Sequence, residues 1–243
     1  MKVLHAFRDT KTDLGIAQIA DAVGLQPSTT HRIVRALVNE DYLAQDDRTQ
    51  RYYLSRGAVL LGAAAHRTLG LSAARPVLER IGAHTSESVN LGVPDGTHAL
   101  VVLRVESPLP LRFDQPPGTR VPLHASSMGK SLLAFGGDLD TYLDAVGGYL
   151  PRYTPKTITA IAQLRGETTR VRDRGYSTDY QESITGVHCV GAPILTPEGS
   201  ARAALAIQAP AVRLSRHRID DLVDDVLLAA KEIADLLPPE HNL

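Results

Sequence analysis

Ser28, Arg32, Arg35 and Asn39 follow one another at steps of four, three and four, so on a helix they would share one stripe. Arginine forks onto guanine and asparagine onto adenine, whereas serine and threonine near a helix start hold phosphates. Thr29 and His31 add further donors and acceptors, and no Asp or Glu stands between Pro27 and Asn39. The chemistry on offer is contact with nucleic acid in a major groove. The elements needed to present it are also legible. Ile16, Ile19, Ala20 and Val23 recur at helical spacing and end at Gly24, a residue suited to the turn beyond a helix. Pro27 suits the first position of a second helix, whose packing side would be Thr30, Ile33, Val34 and Leu37. Residues 42–44 and 51–54 then read as short strands around Asp46-Asp47-Arg48-Thr49. This is a wing whose Arg48 and Arg51 would reach the backbone or the minor groove. Residues 14–54 are thus expected to form a winged helix-turn-helix. A solvated polar face on an ordinary helical hairpin is the plain alternative, and the agreement of spacing, turn glycine, stripe and hairpin tells against it. Residues 1–56 hold eight Lys/Arg and seven Asp/Glu, so the signal lies in where the charge sits and not in its sum.

Elsewhere, Gly129-Lys130-Ser131 imitates the end of a phosphate-binding loop, but that motif needs a glycine where His124 stands. Nucleotide hydrolysis is therefore not expected. What survives is a helix start at Ser127, whose N–H groups at Met128, Gly129 and Lys130 suit a carboxylate, with Gly129 permitting close approach. Asp179 and Cys189 fall on two expected strands. A nucleophilic thiol needs a positioned base, and strand alternation sends the neighbouring His188 to the opposite face. Cys189 is the single cysteine, which excludes an intrachain disulfide framework and a Cys-x-x-Cys metal site. No metal or cofactor is expected.

With 243 residues, 43% hydrophobic content and a formal charge of −1, the chain can bury one or two cores and is not a general polyanion coat. It lacks a run of about 18 apolar residues and a signal-peptide core, so no membrane partner is expected and the cytoplasm is its expected location. Residues 57–70 are alanine- and leucine-rich and read as a connecting helix. A helix at 73–85 leads to strands at 89–94, 98–106 and 111–113. Helices at 127–135, 139–146 and 160–174 follow, then strands at 176–179, 187–195 and 201–207. Ser215 caps a final helix striped by Ile219, Leu222, Val223, Val226, Leu227, Ala230 and Ile233. Two strand groups flanked by helices predict a mixed α+β sensor-like domain and not a βαβ nucleotide fold. The expected division is 1–56 for DNA binding, 57–72 for the connecting helix, and 73–243 for effector binding and oligomerisation.

The early helix-turn-helix, the alanine-rich connector, Pro122-Leu123-His124 with Gly129-Lys130, Arg174-Gly175-Tyr176 and Gly186-Val187-His188-Cys189-Val190 together resemble the IclR family of bacterial transcriptional regulators. The resemblance spans nearly the whole chain. It implies a multidomain α+β protein: an N-terminal winged helix-turn-helix, a linker helix, and a C-terminal profilin- or GAF-like effector domain with an antiparallel sheet. It also implies homodimers or homotetramers on palindromic double-stranded operator DNA. In members that bind small oxo acids, the effector meets the helix start matching Gly129, an acid matching Asp179, a cysteine matching Cys189, and two serines on the last strand. Here the last two positions are Ala206 and Gln208. Losing two hydroxyls for a methyl and an amide predicts a larger, partly apolar organic acid or amide-like effector, aromatic acids included, anchored over Ser127, Met128, Gly129 and Lys130. Met1 falls inside the segment that matches the family's first helix, which bears on the dimer contact. The competing readings are a cysteine-dependent enzyme using Cys189, Asp179 and His124 or His188, and a DNA-binding scaffold whose second domain serves only for oligomerisation.

Overall fold

The computed structural model describes residues 2–8, 10, 12–136 and 138–238. It divides into two compact units, Met1–Thr68 and Leu69–Leu243. The expected Met1 start lies outside the described residues.

In the first unit, α1 (Lys2–His5) precedes α2 (Ile16–Val23) and α3 (Pro27–Asn39), which are followed by β1 (Leu43–Gln45), β2 (Tyr52–Leu54) and α4 (Arg56–Thr68). Gly24 ends α2 in the left-handed region at φ 67° and returns its N–H to Ala20 and Asp21, a conformation costly for any residue with a Cβ. Pro27 opens α3 behind an extended Gln26, where its missing N–H leaves nothing unsatisfied. Val3, Phe7, Ile19, Val34, Leu43 and Tyr52 close the core. Each fully buried side chain of this size contributes about 1.5–3 kcal/mol before entropy is counted. The hairpin pairs Leu43 with Leu54 and Gln45 with Tyr52, and Leu14 joins it by exchanging two backbone bonds with Tyr52. No residue of α4 is buried.

The second unit begins with α5 (Leu71–Thr85), β3 (Ser88–Asp95), β4 (His98–Val105) and β5 (Arg120–Pro122). Next come α6 (Ser127–Phe135), α7 (Leu139–Ala145), α8 (Ile161–Arg174), β6 (Ser177–Tyr180), β7 (Val187–Leu195), β8 (Ala201–Pro210) and α9 (Arg216–Leu236). The six strands form one sheet in the order β5-β4-β3-β8-β7-β6, with every neighbouring pair antiparallel. Alternation divides their side chains between two cores. Val89, Leu91, Val190, Leu205 and Ile207 pack with α5 and α9, whereas Ala99, Val101, Ala204 and Ala206 pack with α6, α7 and α8.

One expected strand is absent: residues 111–113 lie in the connection between β4 and β5. Pro108, Pro110, Pro116 and Pro117 remove the N–H donors that a ladder would need. The carbonyls of Leu111 and Phe113 accept from Arg213 and Arg104 instead. The edge strand forms later, where Val121 pairs with Ala99.

Candidate functional site

On α3, Thr30 and Val34 are buried, while Ser28, His31, Arg32, Arg35 and Asn39 are exposed and Thr29 is half-buried. Neither Arg32 nor Arg35 has an ion-pair or hydrogen-bond partner for its side chain among the described residues. Two guanidinium groups held free on one helix face are suited to an external anion or base edge. In the hairpin tip, Asp46 accepts from the backbone N–H of Arg48 and Thr49, which leaves the Arg48 side chain exposed. Arg51 is different. Its Nε donates to the Asp13 carbonyl at 2.9 Å and one terminal nitrogen to Gln18 Oε1 at 2.6 Å. Part of the guanidinium expected to touch DNA thus fastens the wing to α2, because Gln18 and the chain before α2 come within its reach on folding.

The second constellation is a cavity of about 320 Å³, counted with its open mouth, between the start of α6 and the sheet. Strand register builds its floor: Asp179 pairs with Cys189 and Cys189 with Gln208, and one step along Gly191 pairs with Ala206 and Ala206 with Asn90. Gly191 lets α6 lie against the strands, since a Cβ there would stand 3.3 Å from the Ser127 side chain and 2.8 Å from the Leu205 carbonyl. Ser177 fixes the helix start by donating to the Ser127 carbonyl at 2.6 Å. Ser126 caps α6 by accepting from Gly129 N–H through Oγ and from Lys130 N–H through its carbonyl. The Ser127 and Met128 N–H groups, one and two residues into the helix, have no protein acceptor among the described residues. Such a pair suits a carboxylate.

Six of the expected effector residues, Ser127, Met128, Asp179, Cys189, Ala206 and Gln208, line this cavity; Gly129 and Lys130 do not. Gly129 serves close packing of the chain on itself, because a Cβ would fall 2.4 Å from Leu123 Cα and from the Leu123 carbonyl oxygen. Lys130 is buried, donating from Nζ to Glu182 at 2.6 Å and lying 3.7 Å from Glu167. Its charge is matched by the chain's own carboxylates and holds the turn after β6. Sequence reading also missed Asn90 and Gln115 in the lining. Asn90 had a signal, as a lone amide inside the apolar strand Ser88–Asp95, while Gln115 sits in the proline-rich connection and had none.

Burial, with the nearby Glu182 charge, pushes Asp179 up to about 7, although it accepts from the Glu182 N–H at 2.6 Å. Burial, followed by the Asp179 charge, pushes the Cys189 thiol well up. A thiol so placed is a poor nucleophile at neutral pH. His188 points away and bonds the Leu214 carbonyl at 2.7 Å, while His124 is engaged by Tyr142 and the Pro151 carbonyl. Neither expected base serves Cys189, so the geometry gives no support to a cysteine enzyme. Among the described residues no helix is long and apolar enough to cross a membrane.

A free-faced second helix, a wing and a separate α+β unit with a sheet-floored cavity define a DNA-binding transcriptional regulator. Comparison with known proteins gives the family. Residues 1–47 match the IclR helix-turn-helix domain and residues 63–235 the C-terminal domain of the bacterial transcriptional regulator IclR. The chain belongs to the IclR family. The HTH-type transcriptional regulator BhcR of Paracoccus denitrificans is 35% identical, over 94% of this chain and 82% of that protein. The HTH-type transcriptional repressor AllR of Salmonella typhi is 31% identical, over 91% of this chain and 82% of that protein. Among solved structures, a transcriptional regulator of Rhodococcus sp. RHA1 is 30% identical with a TM-score of 0.82, covering 97% of this chain and 96% of that one. An IclR homologue of Microbacterium hydrocarbonoxydans complexed with 4-hydroxybenzoate shares the fold at 23% identity, with a TM-score of 0.82 and coverage of 97% and 96%.

Proposed function

We propose that this regulator reads a palindromic operator through α3 and is switched by a small organic acid bound at the start of α6. The observation that carries the proposal is the pairing of an unclaimed Arg32–Arg35 face with an enclosed cavity that keeps two helix N–H groups free. Ser28, Thr29, Asn39 and Arg48 would hold phosphates or base edges around them, with Arg51 supporting the wing. The effector must favour one arrangement of paired reading heads over another, since equal affinity for both would move nothing. Homodimers or homotetramers fit this role, and α4 supplies a surface for pairing: Val59, Leu60 and Leu61 are 70%, 69% and 52% exposed. We infer a working division into reading head (1–56), connector (57–72) and effector and oligomerisation domain (73–243), acting in the cytoplasm.

Polar and apolar side chains share the wall of the cavity, which suits a partly apolar organic acid. Val121, Met128, Ile184 and Val187 supply the apolar part of its wall. The test is footprinting of purified protein on DNA from beside its own gene, with and without a panel of aliphatic and aromatic acids. Protection that a cavity-binding acid relieves or strengthens is expected. Protection insensitive to every acid, with no ligand shifting the melting temperature, would leave the second unit as an oligomerisation scaffold.

A further inference from the structure

We propose that the effector carries an amide or ureido group in addition to its carboxylate, and that Asn90, Gln115 and Gln208 form the subsite that recognises it. This rests on the reading of the cavity as the effector site. All three side chains line it and all three are buried, Asn90 at 1%, Gln208 at 4% and Gln115 at 7% exposure. Asn90 Nδ2 donates to Gln208 Oε1 at 3.0 Å and to Gln115 Oε1 at 3.3 Å. Those two bonds exhaust one amino group and occupy two carbonyls. Asn90 Oδ1 is then left buried with no partner, and the amino groups of Gln115 and Gln208 have no protein acceptor among the described residues. Turning all three amides over gives the converse remainder of one amino group and two carbonyls. In either arrangement both a donor and an acceptor among these lining side chains are left without a protein partner.

That remainder discriminates between ligand chemistries. A carboxylate or keto oxygen only accepts, so neither can satisfy a buried acceptor such as Asn90 Oδ1. An amide presents N–H and C=O side by side and meets both needs. Leaving a buried acceptor unpaired costs enough to make such a site reject analogues that lack the donor. The free N–H groups of Ser127 and Met128 donate to the carboxylate. The ligand class is therefore a short acid with a carbonyl-linked N–H, such as an oxamate, a malonamate or an N-carbamoyl amino acid.

Oxamate and pyruvate test this directly, because they differ by an amino group in place of a methyl on the same oxo-carboxylate frame. Calorimetric titration of the full chain should give oxamate a Kd at least about tenfold below that of pyruvate. Gln208→Ala and Gln115→Ala, the second on a connecting segment away from the strand core, should each shrink the preference to about threefold or less. Pyruvate binding as tightly as oxamate would overturn the amide subsite, as would a preference that survives in both variants. The cavity itself is tested by Ala206→Leu, which fills it. Retained affinity there, or no binding of oxamate, pyruvate, lactate, malonamate or N-carbamoylglycine to the unaltered chain, would overturn the effector-site reading and the amide inference together. Affinity abolished by Ala206→Leu without an oxamate preference would overturn only the amide inference.

Discussion

The two units place their chemistry on opposite sides of their cores. The first buries a compact hydrophobic centre and turns its working residues, Arg32 and Arg35, outward and unpaired. The second turns its working residues inward, so that Asp179, Cys189, Gln208 and Asn90 are all buried on one face of a sheet. An outward site tolerates substitution without touching the fold, because its groups are already solvated. In an inward site each polar group must be matched by the chain or by a ligand, so binding and stability are harder to separate.

That contrast can be broken most forcefully at Gly129. Replacement by alanine puts a Cβ 2.4 Å from Leu123 backbone atoms and should cost about 3 kcal/mol, read as a lower midpoint in urea unfolding. A neutral result would mean that the inward site is looser than its packing shows. Asp179 gives a pH signature. Its carboxyl is raised from 3.8 to about 7, so the folded chain holds a proton that the unfolded chain releases between those values. Stability from this group is full below pH 3.8, declines as pH rises to about 7 and is flat above. Asp179→Asn should remove this decline and stabilise the protein at pH 8, visible in melting curves across pH. Binding of a carboxylate effector should weaken about tenfold per pH unit above 7, since the neutral form of Asp179 repels no anion.

On the outward side, Arg32→Ala or Arg35→Ala should each weaken specific operator binding by about 1–3 kcal/mol, with the melting temperature unchanged. Gel shifts at fixed salt would measure this, and a parallel loss of folding would erase the contrast between the units. Arg48→Ala should have the smallest effect: a modest, sequence-independent loss with the salt slope reduced by about 1.

The same geometry explains what could be read in advance. The reading head was legible because two helical periods, Gly24, Pro27 and the wing residues all act within a few positions of one another. The sheet was legible as strands, and the misplaced edge strand traces to prolines that deny residues 111–113 a ladder while leaving their apolar character intact. The cavity was legible only in part. Asp179 and Cys189 stand out on two expected strands, and Ala206 and Gln208 through the family resemblance, but Lys130 looks like an effector ligand until Glu182 arrives from 52 positions away to neutralise it. Gln115 becomes a wall residue only because Arg104 and Arg213 hold the connection before it. Contacts closed by tertiary folding leave no local periodicity to detect.

Gly191 has a consequence for how such a regulator diversifies. It is the point where the sheet must be bare for α6 to touch it, so any heavier residue there would lift the helix and its anion-binding end away from the floor. Positions 90, 206 and 208 are buried too, but they line the cavity, so changes there alter its wall and not the seat of the helix. Duplicated copies of this gene are therefore free to explore new signals at those three sites while the frame that holds the ligand, and the operator it answers to, stays inherited.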